Sequence, residues 1–109
     1  MRITIRALAQ GLVVNQIKES IITISKETLK RIEALVALND HSGAYQLAAQ
    51  TLGCNDLAER FAGINRQHQE LGHLPTRLYE ERYGVYQELV AFARANLCDT
   101  DFQRLYAAF

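Results

Sequence analysis

The chain has 109 residues with 12 basic and 12 acidic side chains, and 49% of its residues are apolar. That is the size of one domain with a core of its own, and the apolar content is too high for global disorder. A net charge of zero removes the simplest electrostatic case for nucleic acid or an anionic membrane as partner, and it suits a protein that sits against another protein or a copy of itself.

Residues 1–24 differ in texture from the rest. Arg2-Ile3-Thr4-Ile5-Arg6 alternates polar and apolar residues and is rich in β-branched ones, while Leu12-Val13-Val14 and Ile21-Ile22-Thr23-Ile24 are further β-prone runs. Period two predicts strands, and Gly11 with the 15–20 segment supplies turns, so a short N-terminal β-hairpin or three-stranded meander is expected. The competing pattern is one helix over residues 3–18, favoured by Ala7, Leu8 and Ala9 and opposed by Gly11, Val13 and Val14.

From Ser25 onward the period becomes helical. Ser25 is placed to cap a first helix, with Glu27 in its first turn and Leu29, Ile32, Leu35, Val36 and Leu38 as its apolar stripe. The 39–43 segment breaks it. Ser42 is the expected cap of a second helix that runs to Leu52 and stops at Gly53. Asn55 is the expected cap of a third, with Leu57, Phe61, Ile64, His68 and Leu71 on one face and Gly72 at its end. Leu74-Pro75-Thr76 turns into the longest helix, Thr76 to Asn96, whose stripe is Leu78, Val85, Leu89 and Phe92 interrupted by Arg82. Asp99 is the expected cap of a last helix with Phe102, Leu105, Tyr106 and Phe109. The fold class is mostly α (α+β): about five helices joined by short connections as a bundle, beside the N-terminal hairpin, in a single domain spanning residues 1–109.

Tests for chemistry find little. His41, Cys54, His68, His73 and Cys98 show no Cys-x-x-Cys and no histidine pair at helical i, i+4 spacing, so no metal site is expected. Cys54 precedes a helix, and a helix N-terminus lowers a thiol's pKa; a small enzyme using Cys54 with a histidine follows as one reading, against a plain packed thiol. Cys98, between the last two helices, invites only the second. Glu80 and Glu81 point about 100° apart on a helix and do not share a substrate. There is no glycine-rich phosphate loop, and no cofactor is implied. Two cysteines far apart fit a reduced, cytoplasmic chain, and no apolar run or N-terminal leader suggests a membrane or secretory route.

Gln46 to Cys54 has the small residue four before a glycine that a helix-turn-helix needs, which puts a nucleic-acid-binding regulator over residues 42–69 among the alternatives. It fits poorly. Glu59 falls where that motif buries an apolar residue, and Asp56 stands where the helix would approach phosphates, leaving Arg60 and Arg66 as its only basic groups. The six basic and three acidic residues of positions 1–35 make the N-terminal part the most electropositive, as suits an acidic partner, RNA or simply a solvated face.

Tyr79, Tyr83 and Tyr86 recur at i, i+4 and i+7 beside Arg82. Tyr and Arg supply interface hot spots because they offer large area with polar ends; the alternative is that these phenols line the core edge with hydroxyls reaching water. The function expected is a non-catalytic protein-interaction module, of the kind seen in small bacterial inhibitors, immunity proteins and assembly factors that start at their own Met1. Its partner-binding patch is Tyr79, Arg82, Tyr83 and Tyr86, with Glu80 and Glu81 on the rim, and its ligand is a protein partner or a second copy.

Overall fold

A computed structural model describes residues 22–109. Among them are five helices and no strand: α1 (Lys26–Ala37), α2 (His41–Thr51), α3 (Asn55–Leu71), α4 (Thr76–Asn96) and α5 (Asp99–Ala108). The strands expected over Arg2–Arg6 and Leu12–Val14, like the alternative helix over 3–18, lie outside the described residues. Residues 22–24 have no regular structure, and Ile24 is buried in the helical core.

The helix starts show where polar caps act and where they do not. Ser25 caps α1 as its position predicts, its Oγ accepting the Thr28 amide at 3.1 Å. The cap of α2 is Asp40, not Ser42: an Asp40 carboxylate oxygen accepts the Gly43 amide at 2.9 Å. Ser42 is already inside that helix, and at 2% exposure it is the one buried polar residue among the described ones. Asn55 and Asp99 also prove to be first helical residues; Cys54 and Cys98 hold the cap positions and make no side-chain cap bond. Asp99 therefore acts on its helix through the dipole instead. Pro75, with extended backbone at ψ 159°, leads into α4 in the same way.

The stops follow backbone sterics. Asn39 (φ 64°), Gly53 (φ 81°) and Gly72 (φ 77°) take the left-handed conformation that turns the chain out of α1, α2 and α3. The tight corner after α2 is sealed by the Cys54 amide, which donates to the Ala49 carbonyl at 2.8 Å.

One continuous core unites the helices. α2 and α3 pack most closely; α1 lies on α2, α4 on α3, and α5 closes against α1 and α4. α2 buries only small side chains, Ser42, Ala44, Ala48 and Ala49, which lets the α3 backbone come near. The volume is filled by Ile32, Phe61, Ile64, Leu78, Leu89 and Leu105, all fully buried.

Three apolar expectations shift. Leu38 is 78% exposed; at 3.6 residues per turn it lies roughly 120° round from Ile32, off the stripe. Leu71, in the last turn of α3, is 48% exposed. On α4 the fourth core position is Ala93, while Phe92 is only partly buried at the core edge.

Candidate functional site

The aromatic face of α4 is not isolated. α2 places Tyr45 against it, α5 adds Tyr106, and Phe109 closes in from beyond α5. The rings form a connected set. Tyr45 lies 4.8 Å from Tyr86, 5.4 Å from Phe61 and 5.2 Å edge-on from Phe109, and Tyr86 lies 5.6 Å from Phe109 and 6.2 Å from Tyr83. These are offset and edge-to-face distances that the ring quadrupole favours. Phe61 supports the set from within the core at 0% exposure.

Two adjoining depressions lie over these rings. Tyr45, Tyr79, Arg82, Tyr83 and Tyr86 line one of about 180 Å³. Tyr83, Tyr86, Gln87, Val90, Ala91, Arg94 and Tyr106 line the next, of about 290 Å³. All five tyrosines of the chain thus stand along one face, and Tyr83 and Tyr86 belong to both depressions. Tyr79, Tyr83 and Tyr106 are each about half exposed. Among the described residues neither lining contains a carboxylate.

Arg82 sits where the expected core stripe is interrupted, and the structure shows how it is held. Its Nη1 donates to the buried Ser42 Oγ at 3.3 Å, and its guanidinium carbon lies 5.6 Å from the Tyr79 ring centroid. Arg94 rests on the Phe102 ring at 4.8 Å. Among the described residues neither arginine has a carboxylate within ion-pair distance; the ion pairs there are Arg60 with Asp56 and Glu88, and Arg104 with Asp101. Burial raises the Tyr45 phenol above its ordinary value, against the opposing pull of Arg82. Burial, with Tyr45, Tyr106 and Tyr83 nearby, pushes Tyr86 up to about 12. Both hydroxyls keep their protons at neutral pH and are donors there.

Of the expected patch, Tyr79, Arg82, Tyr83 and Tyr86 come together in one depression. Glu80 is exposed and outside the lining of either depression, about one residue's rotation away from Tyr79. Tyr45, Tyr106 and Phe109 also belong to this surface and carry no local sequence signal, because only the docking of α2 and α5 on α4 brings them in; Arg94 joins it from α4 itself, at helical spacing from Tyr83 and Val90.

The remaining candidates are more dispersed. His41 and His68 line a further depression with Asp40 and Ser42, on the other side of Arg82, which it shares with the tyrosine-lined one, and His73 bonds the Leu71 carbonyl. Among the described residues no three His, Cys, Asp or Glu side chains are grouped so as to hold a metal ion. Burial raises the Cys54 thiol, the direction opposite to the lowering expected from its helix N-terminus. The helix-turn-helix-like corner has Ala49 fully buried and Gly53 left-handed. Asp56 and Glu59 are exposed on α3, and Arg60 is held by Glu88 through two 2.9 Å bonds. Among the described residues no helix is long and apolar enough to cross a membrane. No protein-family model, no curated protein and no solved structure matches this chain.

Proposed function

We propose that this chain is a non-catalytic protein-interaction module that binds a protein partner through the tyrosine–arginine face of α4. The supporting observation is the gathering of every tyrosine of the chain onto one continuous, partly exposed face. Half-exposed aromatic rings on a firm base have the chemistry of binding hot spots, since little side-chain freedom remains to be lost on docking. An inhibitor, immunity-type or assembly role belongs to this reading as a class of partner-binding proteins.

Site-specific photo-crosslinking tests it. A benzoylphenylalanine replacing Tyr83 or Tyr79 is expected to give a defined covalent adduct with one protein in the cells that make this chain, and the same probe replacing Arg77 is expected to give none. Adducts formed equally from all three positions, or from none, refute the assignment of the face.

A nucleic-acid-binding role for residues 42–69 is the second reading, favoured by the tight corner between α2 and α3. The acidic groups on α3 and the engagement of Arg60 weaken it. Absence of salt-dependent DNA binding that responds to Arg66→Ala disposes of it.

A further inference from the structure

We infer that the occupant of the α4 face is an extended acidic segment of a protein partner, whose carboxylates engage Arg82 and Arg94 while the residues between them lie on the tyrosine rings. This inference rests on the protein-binding reading of the same face and specifies its ligand.

Charge complementarity carries it. Among the described residues the two adjoining depressions contain two guanidinium groups and no carboxylate, in a chain whose acidic and basic residues balance overall. The acidic residues of α4 lie elsewhere. Glu88 is spent on Arg60, and Glu80 and Glu81 are absent from both linings. Arg82 and Arg94 each rest against an aromatic ring and, among the described residues, lack a carboxylate partner. Stacking a guanidinium on a ring leaves its N–H edges available for a planar acceptor, and a carboxylate fits that fork with two parallel bonds. The Tyr45 and Tyr86 hydroxyls, protonated at neutral pH, add donors and no negative charge.

Distance sets the pattern of the ligand. Residues 82 and 94 are twelve apart on one helix, hence about 18 Å along its axis at 1.5 Å per residue. The two residues also lie roughly 120° apart round the helix, and an extended chain advances about 3.3 Å per residue, so its two acidic side chains stand at least five or six positions apart. Tyr83, Tyr86 and Val90 occupy the interval and favour apolar or aromatic residues there. A second copy of this chain meets the face less well, because a two-fold contact apposes two faces that each bring arginines and, among the described residues, no carboxylate.

Selection of a random twelve-residue peptide library on the full-length chain tests this. The expected winners are acidic, with two carboxylates at least five or six positions apart around apolar residues. The synthesised winner is expected to lose at least about 10-fold in affinity on Arg94→Gln and on Tyr83→Ala, and to regain it on an Arg94→Glu chain when its matching acid becomes lysine. Arg82→Gln is expected to act likewise; Arg94, whose one core contact among the described residues is the face of Phe102, keeps the test valid if loss of Arg82 and its bond to Ser42 disturbs folding. Winners that are neutral or basic, lost on Tyr83→Ala and indifferent to both arginines, overturn the acidic ligand and leave the docking face standing. Winners indifferent to Tyr79→Ala and Tyr83→Ala, or no winners at all, overturn both. Oligothymidylate competing for the face, or dimerisation in sedimentation that Tyr83→Ala abolishes, also overturns the inference by naming a different occupant.

Discussion

Phe61→Ala isolates the support beneath the aromatic face. The ring is fully buried at the junction of α2, α3 and the α4 aromatics, 5.4 Å from Tyr45. Truncation of a buried phenylalanine removes its transfer free energy and leaves a cavity that neighbours only partly fill, a loss of about 3–5 kcal/mol. A domain of this size has about 5–15 kcal/mol in total, so the variant is expected to be marginal, with Tm roughly 12–30 °C lower. Phe61→Leu keeps most of the volume and is expected to lose only about 1–2 kcal/mol, much of it the aromatic contact with Tyr45. A double-mutant cycle with Tyr45→Leu then gives a coupling of about 0.5–1.5 kcal/mol. The control is Tyr79→Ala, which removes a ring that is 52% exposed and is expected to change stability by no more than about 0.5 kcal/mol. Urea unfolding followed by far-ultraviolet circular dichroism suits a chain without tryptophan. A Phe61→Ala loss below about 1 kcal/mol, or no coupling to Tyr45, refutes the placement of α2 over α3 on which the site depends.

Other consequences are equally direct. The Tyr86 phenol is pushed up from 10.0 to about 12, so absorbance titration is expected to show a tyrosine ionising near pH 12 that Tyr86→Phe removes. The unfolded chain releases that proton first, so its contribution to stability is complete below pH 10 and fades between 10 and 12. The Arg60 guanidinium holds Glu88 below its ordinary 4.5; the pair's small contribution is present above that pH and is lost as pH falls through the lowered value. Glu88→Gln is expected to abolish that acid-side loss, and added salt to shrink it in the parent chain. A Cβ at Gly43 would meet the Asp40 carboxylate that caps α2. Gly43→Ala is therefore expected to gain nothing in the parent but about 0.5–1 kcal/mol in an Asp40→Ala background, where no cap is left to displace; urea midpoints of the four chains check it.

Much of the helical layout is legible in the sequence, because α1, α3, α4 and α5 each carry a periodic stripe long enough to outweigh local ambiguity. The Ser25 cap and the Gly53 and Gly72 stops are readable as local chemistry. The misassigned caps have two physical causes. Where two capping residues lie within three positions, as Asp40 and Ser42 do, packing chooses between them. Ser42 is drawn into the core, where its hydroxyl receives Arg82, and Asp40 is left at the end. Cys54, Pro75 and Cys98 start helices with no cap bond at all, so a search for a polar cap lands one residue late, at Asn55 and Asp99.

The site was legible to the extent that it is periodic. Tyr79, Tyr83 and Tyr86 share a face by helical spacing alone, whatever surrounds them. Tyr45 is different, because α2 has no strong stripe: its buried side is Ser42, Ala44, Ala48 and Ala49. Such a helix is positioned by how near it can come to its neighbour rather than by which apolar face it presents. The close approach to α3 puts Tyr45 over Phe61 and within 4.8 Å of Tyr86, and so supplies one wall of the first depression. Small residues on α2 are thus a condition for the aromatic surface on α4. An Ala48→Leu replacement, with no tyrosine altered, must either push α2 outward or strain its own rotamer. Outward movement separates Tyr45 from Tyr86, and the near-12 titration of Tyr86 is then expected to fall toward its ordinary value while the helical content stays constant.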